Sequence, residues 1–262
     1  MSAAVAALVD RHRGLLSLSA RETERVLKLW TQTIAAPVLA SFLFIAVFGL
    51  SLGGRIRSID GVPYDVFIVP GLIAMAMAQA AYGNNSSSVF QGRSDRYLND
   101  VLSAPMRPWE VNLGLAFGGV VRALAIGVSL LILSVIATDV PIREPLVLAL
   151  AVALVLVLFA SLGVVVGVYA ETWDQAGAVN NILILPLSFL GGVFYSADLL
   201  PSPWQEISHV NPIFFLINAI RYGFLGTSDV PIGIALGVTA ALAAGCAAWS
   251  AAMFRSGKRL KP

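Results

Sequence analysis

The chain has 262 residues, of which 58% are hydrophobic and 12% are charged, and its formal net charge is +2. Soluble domains carry about 25% charged residues, and a soluble protein of this size has too much surface to hide so many apolar side chains. The composition therefore excludes a soluble domain, and the small net charge gives no support for nucleic-acid binding. We expect an all-α integral membrane protein whose apolar surface faces lipid.

The first predicted element is a helix over residues 15–32 that lies on the inner membrane surface. Ser19 and Glu22 form a capping-box pattern, in which two side chains satisfy free amides at a helix start. Apolar side chains that can dip into lipid are interspersed with basic ones that can meet headgroups. The apolar set is Leu18, Val26, Leu29 and Trp30, and the basic set is Arg21, Arg25 and Lys28. An ordinary charged helix that leads into the first membrane span fits these residues equally well.

Six apolar segments are long enough to span a bilayer, which takes about 20 residues per helix. They are residues 34–54, 66–90, 111–137, 146–169, 176–197 and 230–254. Arg122 interrupts the third segment, and Asn180, Asn181 and Pro186 lie inside the fifth. The sequence therefore predicts a single transmembrane domain over residues 1–262, with six transmembrane helices.

A shorter apolar stretch lies between the fifth and sixth segments, at residues 207–220, and is broken by His209, Asn211 and Pro212. Its length of about 14 residues is too short for a hydrocarbon core of about 30 Å. Irregular backbone at membrane depth is tolerated only against protein or in a water-filled cavity. We therefore predict a re-entrant or interfacial hairpin at this position.

The distribution of Lys and Arg orients the predicted spans, because short cytoplasmic loops are enriched in these residues. One side of the membrane receives Arg11, Arg13, Arg21, Arg25, Lys28, Arg93, Arg96, Arg107, Arg255, Lys258, Arg259 and Lys261. The other side receives Arg55, Arg57, Arg143 and Arg221. The larger set marks the cytoplasmic side, so the sequence predicts that both ends of the chain are cytoplasmic.

Motifs for ATP hydrolysis and metal chemistry are missing from the sequence. A phosphate-binding loop needs the pattern G-x-x-x-x-G-K-[ST], but Gly257 and Lys258 are followed by Arg259. His12 and His209 are the only histidines, and they form no metal-binding pair on one helix. We expect no catalytic residue, metal site or cofactor in this chain, which is therefore not an enzyme by itself.

The connection between the second and third spans, residues 91–108, predicts a short amphipathic helix on the cytoplasmic side. Pro105 and Pro108 end this helix. One face carries Tyr97, Leu98, Val101 and Leu102, and the surrounding polar residues are Arg93, Asp95, Arg96, Asn99 and Asp100. A firmly terminated cytoplasmic helix is a surface that a partner protein can grip, and a loop helix that rests on lipid fits the pattern equally well.

Three polar side chains inside the predicted spans are candidates for a transport path. Arg122 lies near the middle of the third span, where a charge costs at least a few kcal/mol and must face protein or water. It can pair with a substrate headgroup or an acid, or bond a backbone carbonyl within the bundle. Asn180 and Asn181 carry the same alternatives, since amide bonds between helices also hold bundles together.

The end of the fifth span combines helix-breaking and aromatic residues. Pro186 frees backbone carbonyls, and Gly191 and Gly192 permit close backbone approach, which a dimer seam or a gate requires. Three aromatic side chains lie in the same region: Phe189, Phe194 and Tyr195. They fit a gate, or an ordinary aromatic belt at the outer membrane surface.

Six motifs, in their order and spacing, resemble the permease subunits of type-2 ABC exporters. They are FIVPGL (67–72), NDVLSAP (99–105), LILPLSFLGGVFYS (183–196), LLP (199–201), HVNP (209–212) and RYGFLG (221–226). The resemblance covers nearly the whole chain after residue 20 and is nearest to bacterial exporters of drugs, polysaccharides and nodulation factors.

The resemblance implies a partner and a division of labour. Two permeases, expected to form a homodimer in the bacterial inner (plasma) membrane, would work with two copies of a separate ABC ATPase that binds ATP and Mg²⁺. The amphipathic helix at 15–32 would be the interface helix, residues 93–102 would be the coupling helix seated on the ATPase, and residues 198–222 would form a re-entrant outer gate. The first, second and fifth spans would line a path at the dimer seam.

The expected function is export of an amphipathic or lipid-linked substrate, such as a drug, glycolipid or polysaccharide. Candidate residues for coupling are Arg93, Arg96, Tyr97, Leu98, Val101 and Leu102. Candidates for the path or gate are Arg122, Asn180, Asn181, Phe189, Phe194 and Tyr195, and those for the dimer seam are Pro186, Gly191 and Gly192.

An ion-coupled secondary transporter or a channel is the alternative function. Such proteins are built from inverted repeats and carry ionisable groups within the membrane for coupling. No convincing repeat is found here, and the nearest acids, Asp65, Glu110 and Asp139, lie at the ends of predicted spans. The sequence therefore favours the ATP-driven exporter.

Overall fold

The computed structural model of the protein describes residues 12–53, 58, 59, 61–257 and 260, and this part of the chain is almost entirely helical. In chain order its helices are α1 (Arg13–Lys28), α2 (Ala36–Gly53), α3 (Tyr64–Ser94), α4 (Tyr97–Ser103), α5 (Pro108–Thr138), α6 (Pro145–Tyr169), α7 (Trp173–Val179), α8 (Leu185–Leu190), α9 (Ser202–Val210), α10 (Pro212–Leu225) and α11 (Ile232–Ser256). Two short antiparallel strands, β1 (Ser58–Ile59) and β2 (Val62–Pro63), connect α2 to α3.

Two π-helical turns interrupt the regular helices. The first, Thr31–Ala35, leads directly into α2, and the second, Asn180–Ile184, joins α7 to α8. The segment from Trp173 to Leu190 is therefore one composite helix with a π turn at its centre, which we call the composite helix. π turns leave irregular backbone bonding and are frequent at functional sites.

Five helices in the described residues are long and apolar enough to cross a membrane. They are Thr31–Gly49, Tyr64–Ser94, Pro108–Thr138, Pro145–Tyr169 and Ile232–Ser256. These confirm apolar helices at the first, second, third, fourth and sixth predicted spans. The predicted fifth span, residues 176–197, is the composite helix; it ends at Leu190, and the chain continues into a 3-10 turn, Ala197–Leu199. The count of six crossings stays a prediction.

Helix α3 is the centre of the bundle, and most of its side chains are buried inside the protein. Its contact with α6 depends on glycines spaced one turn apart. A Cβ atom at Gly163 would lie 2.5 Å from the carbonyl oxygen of Tyr82, and one at Gly167 would lie 2.7 Å from that of Ser86. This small-xxx-small spacing lets two backbones approach, which is how helices pack in the absence of a hydrophobic drive between them.

Asn85 ties three helices together at the middle of this packing. Its Nδ2 donates to the carbonyl oxygens of Ala116 on α5, at 3.0 Å, and Ala160 on α6, at 3.1 Å. Its Oδ1 accepts from the backbone N–H of Gly119 at 2.9 Å. The side chain is fully buried, so its bonds compensate for an amide placed in an apolar interior.

Helix α1 begins at Arg13, so the predicted capping box at Ser19 is wrong: Ser19 lies within the helix. The apolar run that precedes it continues the helical pattern, and a capping residue is not needed there. Glu22, the other half of the predicted box, is buried; it accepts a 2.7 Å bond from Ser88 Oγ and lies 3.0 Å from Arg25 Nη2. Glu22 therefore joins α1 to α3.

The apolar side chains of α1 divide between protein and surroundings. Leu18 and Val26 are buried, with Leu18 seated against Gly114 of α5, so the prediction that these two dip into lipid is wrong. Leu29 and Trp30 are exposed, as expected for a helix that reaches a membrane surface. The amphipathic pattern is real, but part of its apolar face packs against the bundle.

Helices α9 and α10 occupy the region of the predicted hairpin, residues 198–222, and meet at Asn211. The Asn211 side chain caps α10 by accepting from Ile213 N at 2.9 Å, and its Nδ2 donates to the carbonyl oxygen of Leu187 at 2.6 Å. Ser208 Oγ donates to the carbonyl oxygen of Leu190 at 3.1 Å. These bonds fasten the hairpin to α8, and its depth in a membrane stays a prediction.

Arg221 was assigned from the sequence to a connection on the exterior side of the membrane, and this assignment is wrong. The residue lies within α10, and its side chain is only 1% exposed. Its Nη1 lies 3.7 Å from Asp229 Oδ2, its guanidinium lies 4.1 Å from the centre of the Phe67 ring, and it donates to the carbonyl oxygen of Gly192. Asp229 also accepts from Ala197 N at 3.1 Å. The pair joins α10 to the loop after α8.

Candidate functional site

A cavity of about 610 Å³ opens between α2, α3, α5 and the composite helix. Its lining includes Pro37, Ser41 and Phe44 from α2; Met75, Gln79, Tyr82, Gly83, Ser86 and Ser87 from α3; Arg122 from α5; and Trp173, Asn180, Asn181, Leu185 and Phe189 from the composite helix. Four of the six residues predicted for the path or gate are therefore brought together. The lining comes mainly from the first, second and fifth predicted spans, as expected for a path.

One wall of the cavity is a polar face of α3 that the sequence analysis did not assign to the site. Gln79, Tyr82, Ser86 and Ser87 follow one another at helical spacing. Tyr82 also donates from its hydroxyl to the carbonyl oxygen of Ala176 at 2.7 Å, which fixes α3 against α7. These polar side chains stand out in the sequence of an otherwise apolar span, but the same pattern also fits bonds between adjacent helices.

Arg122 is held in place by the first π turn. Its Nε donates to the carbonyl oxygen of Thr33 at 2.8 Å. This bond confirms the predicted contact with a backbone carbonyl inside the bundle, and the same side chain also lines the cavity. The two alternatives considered for Arg122 are thus compatible, because the anchoring bond uses Nε and leaves the two terminal nitrogens of the guanidinium for a partner in the cavity.

Asn180 and Asn181 lie at the start of the second π turn. Asn180 Nδ2 donates to Asn181 Oδ1 at 3.2 Å. Both residues line the cavity, and the Asn181 side chain is exposed. In this position the two amides can bind a polar group within the cavity, as the path assignment requires.

Four phenylalanines in ring contact lie at the cavity, and we call them the aromatic cluster: Phe44, Phe48, Phe189 and Phe194. The ring centres of Phe189 and Phe194 are 5.6 Å apart, and those of Phe48 and Phe194 are 5.0 Å apart. Phe44 and Phe189 line the cavity directly, whereas Phe194 supports them from behind. Tyr195, predicted for the same path, is half-buried and does not line the cavity.

The two glycines predicted for a dimer seam face the same chain instead. A Cβ atom at Gly191 would lie 3.2 Å from the backbone nitrogen of Phe214 on α10, and Gly192 has a φ of +84°, which favours glycine. Both are buried, so their assignment to a surface between two permeases is corrected. Pro186 is exposed on the composite helix, and its role at a seam stays a prediction.

Arg93, at the end of α3, has a bonding role within the chain. Its Nη1 donates to the carbonyl oxygens of Val168 and Ala170, the latter at 3.1 Å, where α6 ends. Terminal carbonyls of a helix need such partners. Arg93 therefore caps the C-terminal end of α6. Its predicted contact with an ATPase stays a prediction.

The apolar face of α4 also turns toward the chain itself. Leu98, only 1% exposed, and Val101 pack into a core with Val89 and Leu115, while Leu102 is half-buried against the same core. Leu98 and Val101 are therefore not available to a partner, which corrects their assignment as contact residues. An amphipathic pattern cannot distinguish a face that meets a partner from one that meets its own bundle.

The exposed surface of the 91–108 connection is polar. Asp95, Arg96, Asp100 and Ser103 are all exposed, and Arg96 adopts a left-handed conformation with a φ of 60° where α3 gives way to α4. Tyr97 is half-buried beneath the guanidinium of Arg21, whose carbon lies 3.4 Å from the ring centre. This contact joins α4 to α1, so the connection and the first helix form one surface.

A bundle of apolar helices around an open cavity with polar and aromatic walls defines a multi-pass membrane protein of the transporter class. Residues 13–225 match the family model described as "ABC-2 type transporter". The chain is 39% identical over 224 residues to the inner membrane transport permease YadH of Escherichia coli (strain K12), which covers 86% of this chain and 88% of that protein. It belongs to the ABC-2 type transporter family, as a permease subunit.

A more distant similarity is found to Nodulation protein J of Rhizobium meliloti (strain 1021). The two chains are 26% identical over 216 residues, which covers 79% of this chain and 81% of that protein. Both relatives align along most of their length, so the family resemblance in the sequence motifs is confirmed over most of the chain and not at isolated motifs.

Proposed function

We propose that this chain is the membrane-spanning subunit of an ATP-driven exporter in the bacterial inner membrane, powered by two copies of a separate ABC ATPase. The substrate is an amphipathic or lipid-linked molecule. The cavity carries this proposal, because it has a polar wall on α3, apolar walls on α2 and α8, and an aromatic cluster at one end. Its volume is within the range of about 300–1,000 Å³ typical of ligand sites.

The proposed topology has six crossings, with the composite helix as the fifth and both ends of the chain in the cytoplasm. Tryptophans support the position of the inner surface, because this residue concentrates where membrane meets water. Trp30, Trp109, Trp173 and Trp249 are exposed and lie near those helix ends that the Lys and Arg distribution assigns to the cytoplasm. In this topology the aromatic cluster is on the outer side of the cavity, and the α9–α10 hairpin forms a re-entrant outer gate.

Coupling to the ATPase is proposed to use the exposed face of the 91–108 connection. The polar residues Arg96 and Asp100 take the place of the apolar residues predicted from sequence. Because the apolar face of α4 is packed into the bundle, a push on this helix moves α3 with it, and α3 forms a wall of the cavity. Rigid-body shifts of packed helices are a common route from a nucleotide switch to a distant site.

Reversal of both exposed charges, Arg96→Glu with Asp100→Arg, is expected to reduce ATPase association at least about tenfold, since like charges across an interface cost several kcal/mol. The measurement is copurification of a Walker-motif ATPase with the tagged permease from native membranes. Asp198→Arg, at an exposed acid on the proposed outer side, is the matched control and should leave association unchanged. Unchanged association in the double variant, at equal membrane level, would contradict the coupling role.

A homodimer is proposed to form along α2 and the composite helix, which expose apolar side chains next to the cavity. Ile182 is 68% exposed, whereas Ile184, two residues further along the chain, is buried. In a Cys246→Ser background, which removes the single cysteine, Ile182→Cys should give a dimer with a bismaleimide crosslinker in membranes. Ile184→Cys is the control and should remain monomeric; absence of crosslinks at both Ile182→Cys and Leu39→Cys would place the seam elsewhere.

A further inference from the structure

The cavity contains a single kind of charge. Arg122 is the one charged side chain of its lining, and none of the lining residues in the described part of the chain is an acid. Arg122 is also in no ion pair among the residues that the structure describes. A charge at membrane depth is costly unless it is paired or hydrated. The positive charge of Arg122 therefore favours the binding of an anion in the cavity.

The neighbouring cation does not change this balance. Arg25 lies close enough to Arg122 for the two charges to interact, but it is paired with Glu22 at 3.0 Å, and Glu22 is itself bound by Ser88. The Arg25 and Glu22 charges therefore offset one another. The positive charge that remains at the cavity belongs to Arg122.

The orientation of the Arg122 guanidinium suits a bound oxyanion. Nε is occupied by the carbonyl oxygen of Thr33, at 2.8 Å, which fixes the plane of the group. Its two terminal nitrogens, Nη1 and Nη2, donate no hydrogen bond to any residue in the part of the chain that the structure describes. A planar guanidinium held at one nitrogen can offer its remaining donors to a phosphate or carboxylate, the geometry in which arginine binds most strongly.

The apolar part of the lining, which faces the cavity beside the polar side chains of α3, indicates what can be attached to that anion. Phe44 and Phe189 extend the cavity toward the aromatic cluster, and Met75 and Leu185 add further apolar surface. These walls cannot hydrogen-bond to a polar chain, so burial beside them favours a hydrocarbon portion. The cavity thus presents a cation beside an apolar channel, which complements an amphiphile with an anionic headgroup.

We propose that Arg122 selects substrates that are anionic amphiphiles, binding a phosphate or carboxylate headgroup while the apolar chain lies against Phe44 and Phe189. This inference rests on the proposed transport function, because it takes the cavity to be the substrate site. It adds the charge of the substrate and the residue that recognises it.

The test uses the purified permease in nanodiscs of a zwitterionic lipid. A Phe189→Trp variant places a fluorescent reporter on the apolar wall, and its quenching is measured relative to the protein without that substitution. The probes are dodecyl phosphate, whose headgroup is anionic, and dodecyl maltoside, whose headgroup is uncharged, each with a bromine at the chain end. The reporter protein should bind the phosphate about tenfold more tightly, as expected for one charge-assisted contact.

Three further variants in the reporter background separate recognition from structure. Arg122→Gln should lose the preference for phosphate, whereas Arg122→Lys should keep part of it, since the charge remains but the planar set of donors is lost. Lys28→Gln removes a cation from an exposed ion pair outside the cavity and should change nothing. If Arg122 serves only to anchor α5 to the first π turn, Arg122→Gln will lower thermal stability and leave the preference intact, which overturns the proposal.

Equal binding of the two probes by the reporter protein also overturns the proposal, even if Arg122→Gln fails to fold. Competition distinguishes an amphiphile from a free anion: unbrominated dodecyl phosphate should displace the probe, and an equal concentration of inorganic phosphate should not. Displacement by both would overturn the assignment of an amphiphile. None of these measurements involves the ATPase, so their failure leaves the ATP-driven function to be judged by its own copurification experiment.

Discussion

Gly163→Val is expected to prevent correct packing of α3 against α6. Even a single Cβ atom at this position would lie 2.5 Å from the backbone carbonyl oxygen of Tyr82 and 3.0 Å from the Cβ of Asn85. A backbone atom at the centre of a bundle cannot move aside as the tip of a side chain can. Overpacking of this kind costs about 1–3 kcal/mol, occasionally more, and valine adds two further methyl groups to the clash.

The effect is measured as the thermal unfolding midpoint of the detergent-solubilised protein, followed by size-exclusion elution of the remaining monodisperse fraction. Gly163→Ala should already lower the midpoint. Gly245→Ala is the matched control on α11, because a Cβ atom there would meet nothing within 4 Å. Alanine is a better helix former than glycine by about 0.5–1 kcal/mol, so the control should be neutral or stabilising. Equal midpoints for the two alanine variants would contradict the packing argument.

The contrast between these glycines illustrates what the sequence determines about the fold. Five predicted spans correspond to apolar helices, because the length and apolarity of a segment are local properties. The neighbour of each helix is not local. Gly163 and Gly245 both lie in apolar runs, and only the folded structure places one against a backbone and leaves the other open. Spacing of small residues indicates that some helix approaches closely, without saying which one.

The same limit explains the corrections around α1 and α4. Leu18, Leu98 and Val101 were correctly predicted to form apolar helical faces, yet each faces the bundle and not lipid or a partner. Periodicity shows that a helix has an apolar face. It does not show whether that face packs against the bundle, lipid or a partner protein. Arg221 was misplaced for a related reason, since counting charges in loops takes every cation between spans to be exposed, whereas this one is buried with Asp229.

Three of the polar residues predicted for the path lie together in the folded chain. Arg122, Asn180 and Asn181 come from distant parts of the chain and line one cavity. Each was identified because a polar group inside a membrane span is expensive and needs a partner or water. That cost is the same whichever helices pack against the span, so these residues could be identified without knowing the neighbouring helices. It could not identify Gln79 or Ser87 as cavity residues, because polar side chains on a helix also serve to bond adjacent helices.

Asp229→Ala is expected to produce the other large effect, because it leaves the charge of Arg221 buried without its carboxylate partner. Breaking a buried ion pair from one side costs about 3–5 kcal/mol. The variant also removes the acceptor of bonds from Ser196 Oγ, at 2.9 Å, and Ala197 N, at 3.1 Å, so the loop after α8 loses two of its bonds, while the bond from Arg221 to the carbonyl oxygen of Gly192 remains. The unfolding midpoint should fall well below that of Asp198→Ala, which alters an exposed acid on the adjacent turn.

A double variant tests whether the loss comes from the unpaired charge. Arg221→Met with Asp229→Asn removes both charges and retains an amide acceptor for the loop, so it should be more stable than Asp229→Ala alone, in line with the replacement of buried pairs by neutral side chains. If the double variant is no more stable, the pair acts mainly by positioning Gly192 and the loop, and the penalty is not electrostatic. In either case the loop is the connection between α8, which bears Phe189 of the aromatic cluster, and the α9–α10 hairpin. Weakening it should therefore disturb the proposed outer closure of the cavity before it disturbs the cytoplasmic surface around Arg96.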